Sequence, residues 1–122
     1  MDMKLELVQI PVSDVDRAKA FYADQLGFHA DHDHTIGDGV RFVQLTPPGS
    51  ACSIAIGTGL TGAQPGQAQG MLLVVSDIDI ARANLAERGV EVSEVRDEAW
   101  GARHVYFQDP DGNAWQLQQP RP

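Results

Sequence analysis

The sequence predicts an α+β protein built from two tandem βαβββ modules, related by a pseudo-twofold, whose curved mixed sheets enclose a cavity. The first observation is an internal repeat: the segment VSDVDRAKAF at 12–21 is similar to VSDIDIARAN at 75–84. The second is a repeated turn, in which PPGSA at 47–51 corresponds to DPDGNA at 109–114. Units of this size are too small to close a hydrophobic core alone, so the two copies are expected to share one.

The first copy begins with a strand over 4–11, whose apolar and polar residues are mixed. Ser13 or Asp14 then caps a helix over Val15–Leu26, and Gly27 ends it, because glycine readily takes the left-handed conformation of a helix C-terminus. Further strands are expected over 28–33, 39–46 and 51–57.

The second copy repeats this order. Asp77 caps a helix that runs through Arg88 and ends at Gly89. Its strands are expected over 70–75, 90–95, 102–108 and 114–118. The segment between the copies is rich in Gly, Gln and Ala, which predicts a flexible connector. We therefore expect one domain over 1–122, with module 1 at 1–57, a linker at 58–69 and module 2 at 70–122.

Composition narrows the class of protein. A length of 122 residues with 43% apolar residues fits one globular domain. The net charge of −8 argues against nucleic acid as a partner and favours neutral or cationic ligands. The single cysteine, Cys52, excludes an internal disulfide. The absence of a signal-like N-terminus and of any long apolar run predicts a cytoplasmic protein that does not bind membranes.

Two segments resemble a known family. The stretch VSDVDRAKAFYADQLGF at 12–28 resembles the opening of the vicinal oxygen chelate superfamily, and the DPDGN turn at 109–113 resembles its second signature. That superfamily includes glyoxalase I, bleomycin-resistance proteins and extradiol dioxygenases. The resemblance implies paired βαβββ modules, a homodimer and a cavity between curved sheets. It leaves open whether that cavity lies within one chain or is shared between two.

The resemblance also locates four metal-ligand positions. Metal enzymes of this superfamily draw ligands from positions that correspond here to Leu7, Gly70, Gln116 and, as the repeat partner of Gln116, Ser53. Divalent metals prefer imidazole nitrogen or carboxylate oxygen. These four residues supply neither, so the sequence predicts that the usual metal site is absent and that no cofactor is bound.

Strand alternation predicts the rest of the cavity wall. Neighbouring residues on the opposite strand face, such as Cys52 and Trp115, are expected to point to the helix side. The predicted wall is uncharged, partly aromatic and dotted with amides and hydroxyls, which is typical of a small-molecule pocket. The residues expected to contact the ligand are Leu7, Gln9, Phe42, Gln44, Ser53, Gly70, Leu72, Trp100, His104, Tyr106 and Gln116.

His104 and Tyr106 lie two apart on one predicted strand and so share a face. They could form a general acid or base with a phenolic partner, or they could be hydrogen-bonded cavity lining, since no carboxylate neighbours the histidine in sequence. Trp100, in the preceding loop, could stack on a planar ligand, act as a lid or pack on the protein surface.

The run His29-Ala30-Asp31-His32-Asp33-His34 suggests a second hypothesis. His32 and His34, or Asp31 and Asp33, share a strand face and could hold a metal with a third ligand. The alternative is a solvated strand end, and the run is expected to lie away from the four family positions.

These observations predict a metal-free protein that resembles the bleomycin-resistance branch and binds a small, partly aromatic or cationic compound without transforming it. One alternative is a glyoxalase-like lyase or isomerase, or a hydrolase, that uses His104 and Tyr106 for proton transfer. Another is a metalloenzyme with ligands from the His29–His34 run.

Overall fold

The computed structural model describes residues 1–120 and contains two four-stranded sheets with equivalent strand order. In each sheet the outer pair that contains the first strand is parallel and the other pairs are antiparallel. The predicted fold class, two similar modules with open curved sheets, is confirmed. Sheet A has the order β1-β4-β3-β2, with β1 (Leu7–Gln9), β2 (His29–Ile36), β3 (Val40–Thr46) and β4 (Ser53–Gly57). Sheet B has the order β5-β8-β7-β6, with β5 (Met71–Val74), β6 (Arg96–Asp97), β7 (Arg103–Gln108) and β8 (Ala114–Gln119).

Two helices begin at the predicted aspartates. Asp14 caps α1 (Val15–Ala20) and Asp77 caps α2 (Ile78–Glu87), and each carboxylate accepts a hydrogen bond of 3.0 Å from the backbone N–H three residues on. Neither helix has the length and apolar character needed to span a bilayer.

The first helix changes type partway. The sequence predicts one α-helix to Leu26, whereas the structure continues α1 as a π-helical segment over Phe21–Gln25. The N–H of Leu26 donates to the carbonyl of Phe21 at 3.0 Å, five residues back, which is the π-helical pattern. This wider turn buries the side chains of both Phe21 and Tyr22.

One arginine in each module repeats the same pair of contacts. Arg41 of β3 contacts Asp16 of α1 and Asp33 of β2. In the second module, Arg103 of β7 contacts an aspartate of α2 and one of β6, both at 3.2 Å. The internal repeat therefore extends from sequence to side-chain contacts, and each helix is tied to its own sheet.

The two modules share one hydrophobic core on the helix side of both sheets. The ring of Trp115 in β8 lies 5.6 Å from that of Tyr22 and 5.9 Å from that of Phe28, which come from the first module. Phe21 likewise contacts Phe107 of β7, with centroids 6.5 Å apart. Packing between modules thus uses the faces that carry the helices, and the opposite sheet faces point away from this core.

The strand predicted over 90–95 is wrong. The structure places the edge strand of sheet B at Arg96–Asp97, and residues 90–95 form no strand. Ser93 explains the difference, because its hydroxyl accepts the hydrogen bond from the N–H of Tyr106 at 2.8 Å in place of a backbone carbonyl. Such side-chain bonds compete with a regular ladder.

Candidate functional site

Sheet B presents an open face, defined here by two rows of directly paired residues. One row runs across the strands as Arg96, His104, Gln118 and Val74. The other runs as Tyr106, Gln116 and Leu72. The predicted common orientation of His104, Tyr106, Gln116 and Leu72 is therefore confirmed by register.

Glu98 organises this face, and the sequence interpretation missed it. Its Oε1 accepts a hydrogen bond of 2.9 Å from the hydroxyl of Tyr106 and lies 3.2 Å from Nδ1 of His104. The expectation that His104 lacks a carboxylate neighbour is therefore wrong. No periodic pattern indicates this position, because it depends on the loop before β7, where the N–H of Glu98 donates to the carbonyl of Ala102 at 2.9 Å.

The hydrogen bonds on this face fix the charge of Glu98. The hydrogen bond from Tyr106 lowers the pKa of the Glu98 carboxyl below its ordinary value, and the contact with His104 lowers it further by a smaller amount. The same hydrogen bond to Glu98 raises the pKa of the Tyr106 phenol. The face therefore carries an ionised carboxylate beside a protonated phenol at neutral pH.

His104 is buried between two partners. Its Nε2 lies 2.8 Å from Oε1 of Gln118, and the residue is 4% exposed. A carboxylate accepts only, so Glu98 fixes a proton on Nδ1 of His104. The Gln118 amide can offer its oxygen to a protonated Nε2 or, after a flip, its NH₂ group to a neutral one.

Three rings form a continuous aromatic surface on sheet B. The centroid of His104 lies 5.2 Å from that of Trp100 and 5.9 Å from that of Tyr106. Trp100 is 63% exposed, so most of its ring surface is open to solvent. Leu72 and Val74 are exposed beside these rings. An exposed apolar surface with a polar rim is typical of a binding site.

Sheet A has its own open face, defined by Gln9, Gln44, Phe42 and the β2 residues paired with them. His32 lies opposite Gln44 and His34 opposite Phe42. The two imidazoles stack with centroids 5.6 Å apart. The His29–His34 run begins β2, and a bulge between Ala30 and His32 turns these two rings onto the open face of sheet A, while β3 separates them from the family positions on β1 and β4.

A hydrogen-bonded cluster lies beside these rings. The hydroxyl of Ser53 is 2.7 Å from that of Thr46 and accepts a bond of 3.3 Å from Gln44. Thr46 also donates to Asp31, whose carboxyl pKa this bond and His29 lower. Ser53, Gln44 and Phe42 therefore share the predicted face, with Asp31 as an unexpected acidic member.

The two open faces belong to different sheets of the chain. Among residues 1–120, no hydrogen bond, ion pair or ring contact joins the Phe42–Gln44 face to the His104–Tyr106 face. The modules approach each other at the edge strands β1 and β5, where a groove of about 410 Å³ is lined by Ser53, Gly70 and Leu72. A smaller hollow joins Gly70 to Tyr106 and Gln116.

The remaining predicted positions are accounted for. Leu7 lies directly opposite Ser53 in the parallel pair of β1 and β4, and Gln9 lies opposite Ala55. Trp115 is in the core, as expected. Cys52 is partly buried and lines the groove between the modules.

The sequence-based assignment of Ser53 as the repeat partner of Gln116 is wrong. Gln44 pairs with Ala55, and the equivalent Tyr106 pairs with Gln116, so the repeat partner of Gln116 is Ala55 rather than Ser53. The connection before β4 is longer than the one before β8, which shifts the register.

The donor set does not fit the metal of the family's enzymes. The four positions hold Leu7, Ala55, Gly70 and Gln116, which together offer one neutral amide oxygen. In the part of the chain that the structure describes, no group of three His, Cys, Asp or Glu side chains is arranged as ligands. The carboxylate of Asp33 is engaged with Lys19 at 2.7 Å and with Arg41 at 2.8 Å, which lowers its pKa.

Comparisons with known proteins match this architecture. The family model of the Glyoxalase/Bleomycin resistance protein/Dioxygenase superfamily matches residues 4–117. TnmS3, an antibiotic binding protein from Streptomyces sp. CB03234, is 36% identical, with a TM-score of 0.88 over 98% of this chain and 97% of that chain. A superfamily member from Sphaerobacter thermophilus DSM 20745 is 35% identical, with a TM-score of 0.85 over 98% of each chain. The uncharacterized protein YetH of Bacillus subtilis (strain 168) is 26% identical over 98% of this chain and 100% of its own length. The resemblance drawn from the two sequence motifs is confirmed, and this chain belongs to the Glyoxalase/Bleomycin resistance protein/Dioxygenase superfamily.

Proposed function

We propose that this protein binds a small, partly aromatic organic molecule on the open face of sheet B and releases it unchanged. The observation that carries the proposal is the pair of exposed rings of Trp100 and Tyr106, which flank the buried ring of His104 and are held in place through Glu98. Planar rings stack on such surfaces, and amides such as Gln116 and Gln118 orient them by hydrogen bonds. The 36% identity to an antibiotic binding protein supports the same class of function.

We further propose that a homodimer completes the site. The open face of sheet B exposes Leu72 and Val74, and the open face of sheet A carries Phe42 with the stacked His32 and His34. A second copy that sets one face against the other would enclose a cavity with aromatic groups on both walls. The ligand would then be covered without any rearrangement of the shared core.

Direct titration tests the binding proposal. We expect bleomycin or daunorubicin, titrated by calorimetry, to bind at a fixed stoichiometry and to quench the emission of Trp100. Chromatography and mass spectrometry should recover the compound unchanged. Trp100→Ala should weaken binding about tenfold, since stacking on an aromatic side chain contributes on the order of 1–3 kcal/mol. Undiminished affinity in Trp100→Ala would remove the aromatic surface from the site.

A second candidate function rests on the Glu98 contacts. A histidine oriented through Nδ1 by a carboxylate leaves Nε2 for proton transfer, so a lyase or isomerase that uses His104 and Tyr106 is the alternative. The geometry favours binding, because Nε2 of His104 faces Gln118 and the Tyr106 proton is directed to Glu98 rather than outward.

One substitution separates the two functions. In a binder, His104→Ala should weaken the binding free energy by about 1 kcal/mol, because the ring supports the ligand surface through Glu98 and Gln118 and does not react. In an acid–base enzyme the same substitution should lower the rate about 10²–10⁴-fold.

A further inference from the structure

We propose that the guanidinium of Arg96 holds the place of a cationic group of the ligand, which displaces it from Tyr106 and pairs with Glu98. The inference rests on the proposed function and deepens it. It names the charge of the ligand, the carboxylate that recognises it and the side chain that competes with it.

Arg96 already shows how a cation sits on this face. Its Cζ atom lies 5.5 Å from the centroid of the Tyr106 ring, within the range of a cation–π contact. Arg96 is also the residue directly opposite His104 in the β6–β7 pair. The aromatic surface therefore accepts a planar cation in the arrangement that the chain itself adopts.

Arg96 is held weakly compared with other arginines of the protein. Arg41 and Arg103 each contact two aspartates. Within residues 1–120, no ion pair or side-chain hydrogen bond engages the guanidinium of Arg96, and the residue is exposed. A contact with one ring at an exposed site is readily exchanged for a ligand that makes several.

Glu98 supplies the opposite charge. Tyr106 and His104 both bond to Oε1, and within residues 1–120 no side chain or backbone group donates to the second oxygen, Oε2. The side chain of Glu98 is 30% exposed and lies on the same surface as the rings. A carboxylate held in place by two donors, with one oxygen to spare, is suited to a charge-assisted hydrogen bond with an ammonium or amidinium group.

The charge of the whole chain acts in the same direction. With a net charge of −8, the protein attracts cations and repels anions at long range. A planar ring system that bears an amine would stack on Trp100 while its cation takes the position of Arg96. The occupant that the observations favour is therefore an aromatic amine cation of small-molecule size.

A matched pair of probes tests the charge of the ligand. Daunorubicin carries an amine that is cationic at pH 7, and N-acetyldaunorubicin has the same rings without the charge. By calorimetry at one fixed salt concentration, we expect the protein to prefer daunorubicin about tenfold, as a charge-assisted hydrogen bond would provide. Glu98→Gln should remove that preference, so that the variant binds the two probes with affinities within about twofold of each other.

Arg96→Gln tests the competition. It should strengthen daunorubicin binding about threefold, because the internal cation no longer occupies the ring, and should strengthen daunorubicin binding more than N-acetyldaunorubicin binding. Arg17→Gln makes the same change of net charge at an exposed site of the other module, beside Asp111, and should change neither affinity by more than about 1.5-fold. Because Arg96 is exposed, its replacement is expected to leave the fold intact, as circular dichroism would show.

The outcomes separate this inference from the function on which it rests. Equal binding of both probes, or an Arg96→Gln variant that binds both more weakly, would overturn the role of Arg96 and leave the binding function in place. Failure of both probes to bind would count against the proposed function itself, and the inference would fall with it.

Discussion

The hydroxyl of Tyr22 donates a buried hydrogen bond of 2.7 Å to Oδ2 of Asp109, across the boundary between the two modules. Tyr22 lies in the first family-like segment and Asp109 opens the second. Trp115 donates to the same hydroxyl at 3.0 Å, and Asn113 donates to the same carboxylate at 2.8 Å. Burial is the main reason that the pKa of Tyr22 lies far above its ordinary value, and the charge of Asp109 raises it further. The phenol therefore remains a donor. The two motifs thus hold the modules together and belong to the fold rather than to the ligand site.

This contact predicts a large loss of stability in Tyr22→Phe. The substitution keeps the ring but deprives Asp109 of a donor and Trp115 of an acceptor, both of them buried. We expect the free energy of unfolding, measured by urea denaturation, to fall by about 1–3 kcal/mol. Tyr106→Phe removes the hydroxyl of an exposed tyrosine and should cost about 0.5 kcal/mol or less. Equal losses in the two variants would contradict the role of Tyr22.

The sequence alone predicted most of the fold because the repeat and the caps are local signals. Asp14 and Asp77 each form the cap that their position before a helical segment indicates. The strand predicted over 90–95 is absent because the hydroxyl of Ser93, rather than a backbone carbonyl, accepts the hydrogen bond from the N–H of Tyr106. No local pattern distinguishes such a residue from an ordinary polar strand position.

The site was predicted less completely, because its missing members depend on pairing between strands. Strand alternation was enough to place His104 and Tyr106 on one face. The position of Glu98 depends on the tight loop before β7, and that of His32 on a bulge in β2. Neither the loop geometry nor the bulge has a signature in periodicity, and a shift of one residue would reverse the face of every side chain that follows.

Asp33 predicts a pH dependence of stability. The hydrogen bonds from Arg41 hold the pKa of the Asp33 carboxyl below its ordinary value in the folded protein, and the hydrogen bond from Lys19 has a smaller effect in the same direction. A depressed carboxyl pKa contributes stability above the unfolded value, near pH 4, and that contribution is lost as the pH falls below it. Because the carboxylate is partly exposed, we expect Asp33→Asn to cost about 0.5–1 kcal/mol at pH 7.

Thermal denaturation at a series of pH values checks this prediction. The difference between wild type and Asp33→Asn should shrink as the pH falls from 5 toward 2, because the carboxyl of the unfolded chain takes up its proton in this range before that of the folded protein does. Asp38→Asn, in the turn between β2 and β3, provides a matched control with the same change of charge and no predicted loss. A difference that stays constant over this pH range would show that the ion pairs of Asp33 do not contribute.

The donor set predicts that binding is independent of divalent metal. Elemental analysis of the untagged protein, before and after dialysis against a chelator, should find far less than one equivalent of zinc, iron, manganese or nickel. Chelator should leave the affinity for daunorubicin unchanged, because Leu7, Ala55, Gly70 and Gln116 offer no imidazole or carboxylate.

A tightly held equivalent of metal would contradict this prediction. The stacked His32 and His34 would then be the first ligands to replace, singly, by alanine. His29→Ala would serve as a control, because its ring bonds to Asp31 at 2.9 Å rather than joining the stacked pair.

The proposed homodimer makes Val74 a test of association. Val74 is 63% exposed on the open face of sheet B, where a second copy would bury it, and Ile80 is 62% exposed on α2. Val74→Glu would place an unpaired carboxylate in the interface, which costs on the order of 3–5 kcal/mol and more than a hundredfold in the dissociation constant. Light scattering should give the wild type twice the chain mass of 13.2 kDa and the variant the mass of one chain. Ile80→Glu introduces the same charge away from that face and should remain dimeric. If Ile80→Glu dissociates and Val74→Glu does not, the helix face rather than the open face of sheet B forms the contact between copies.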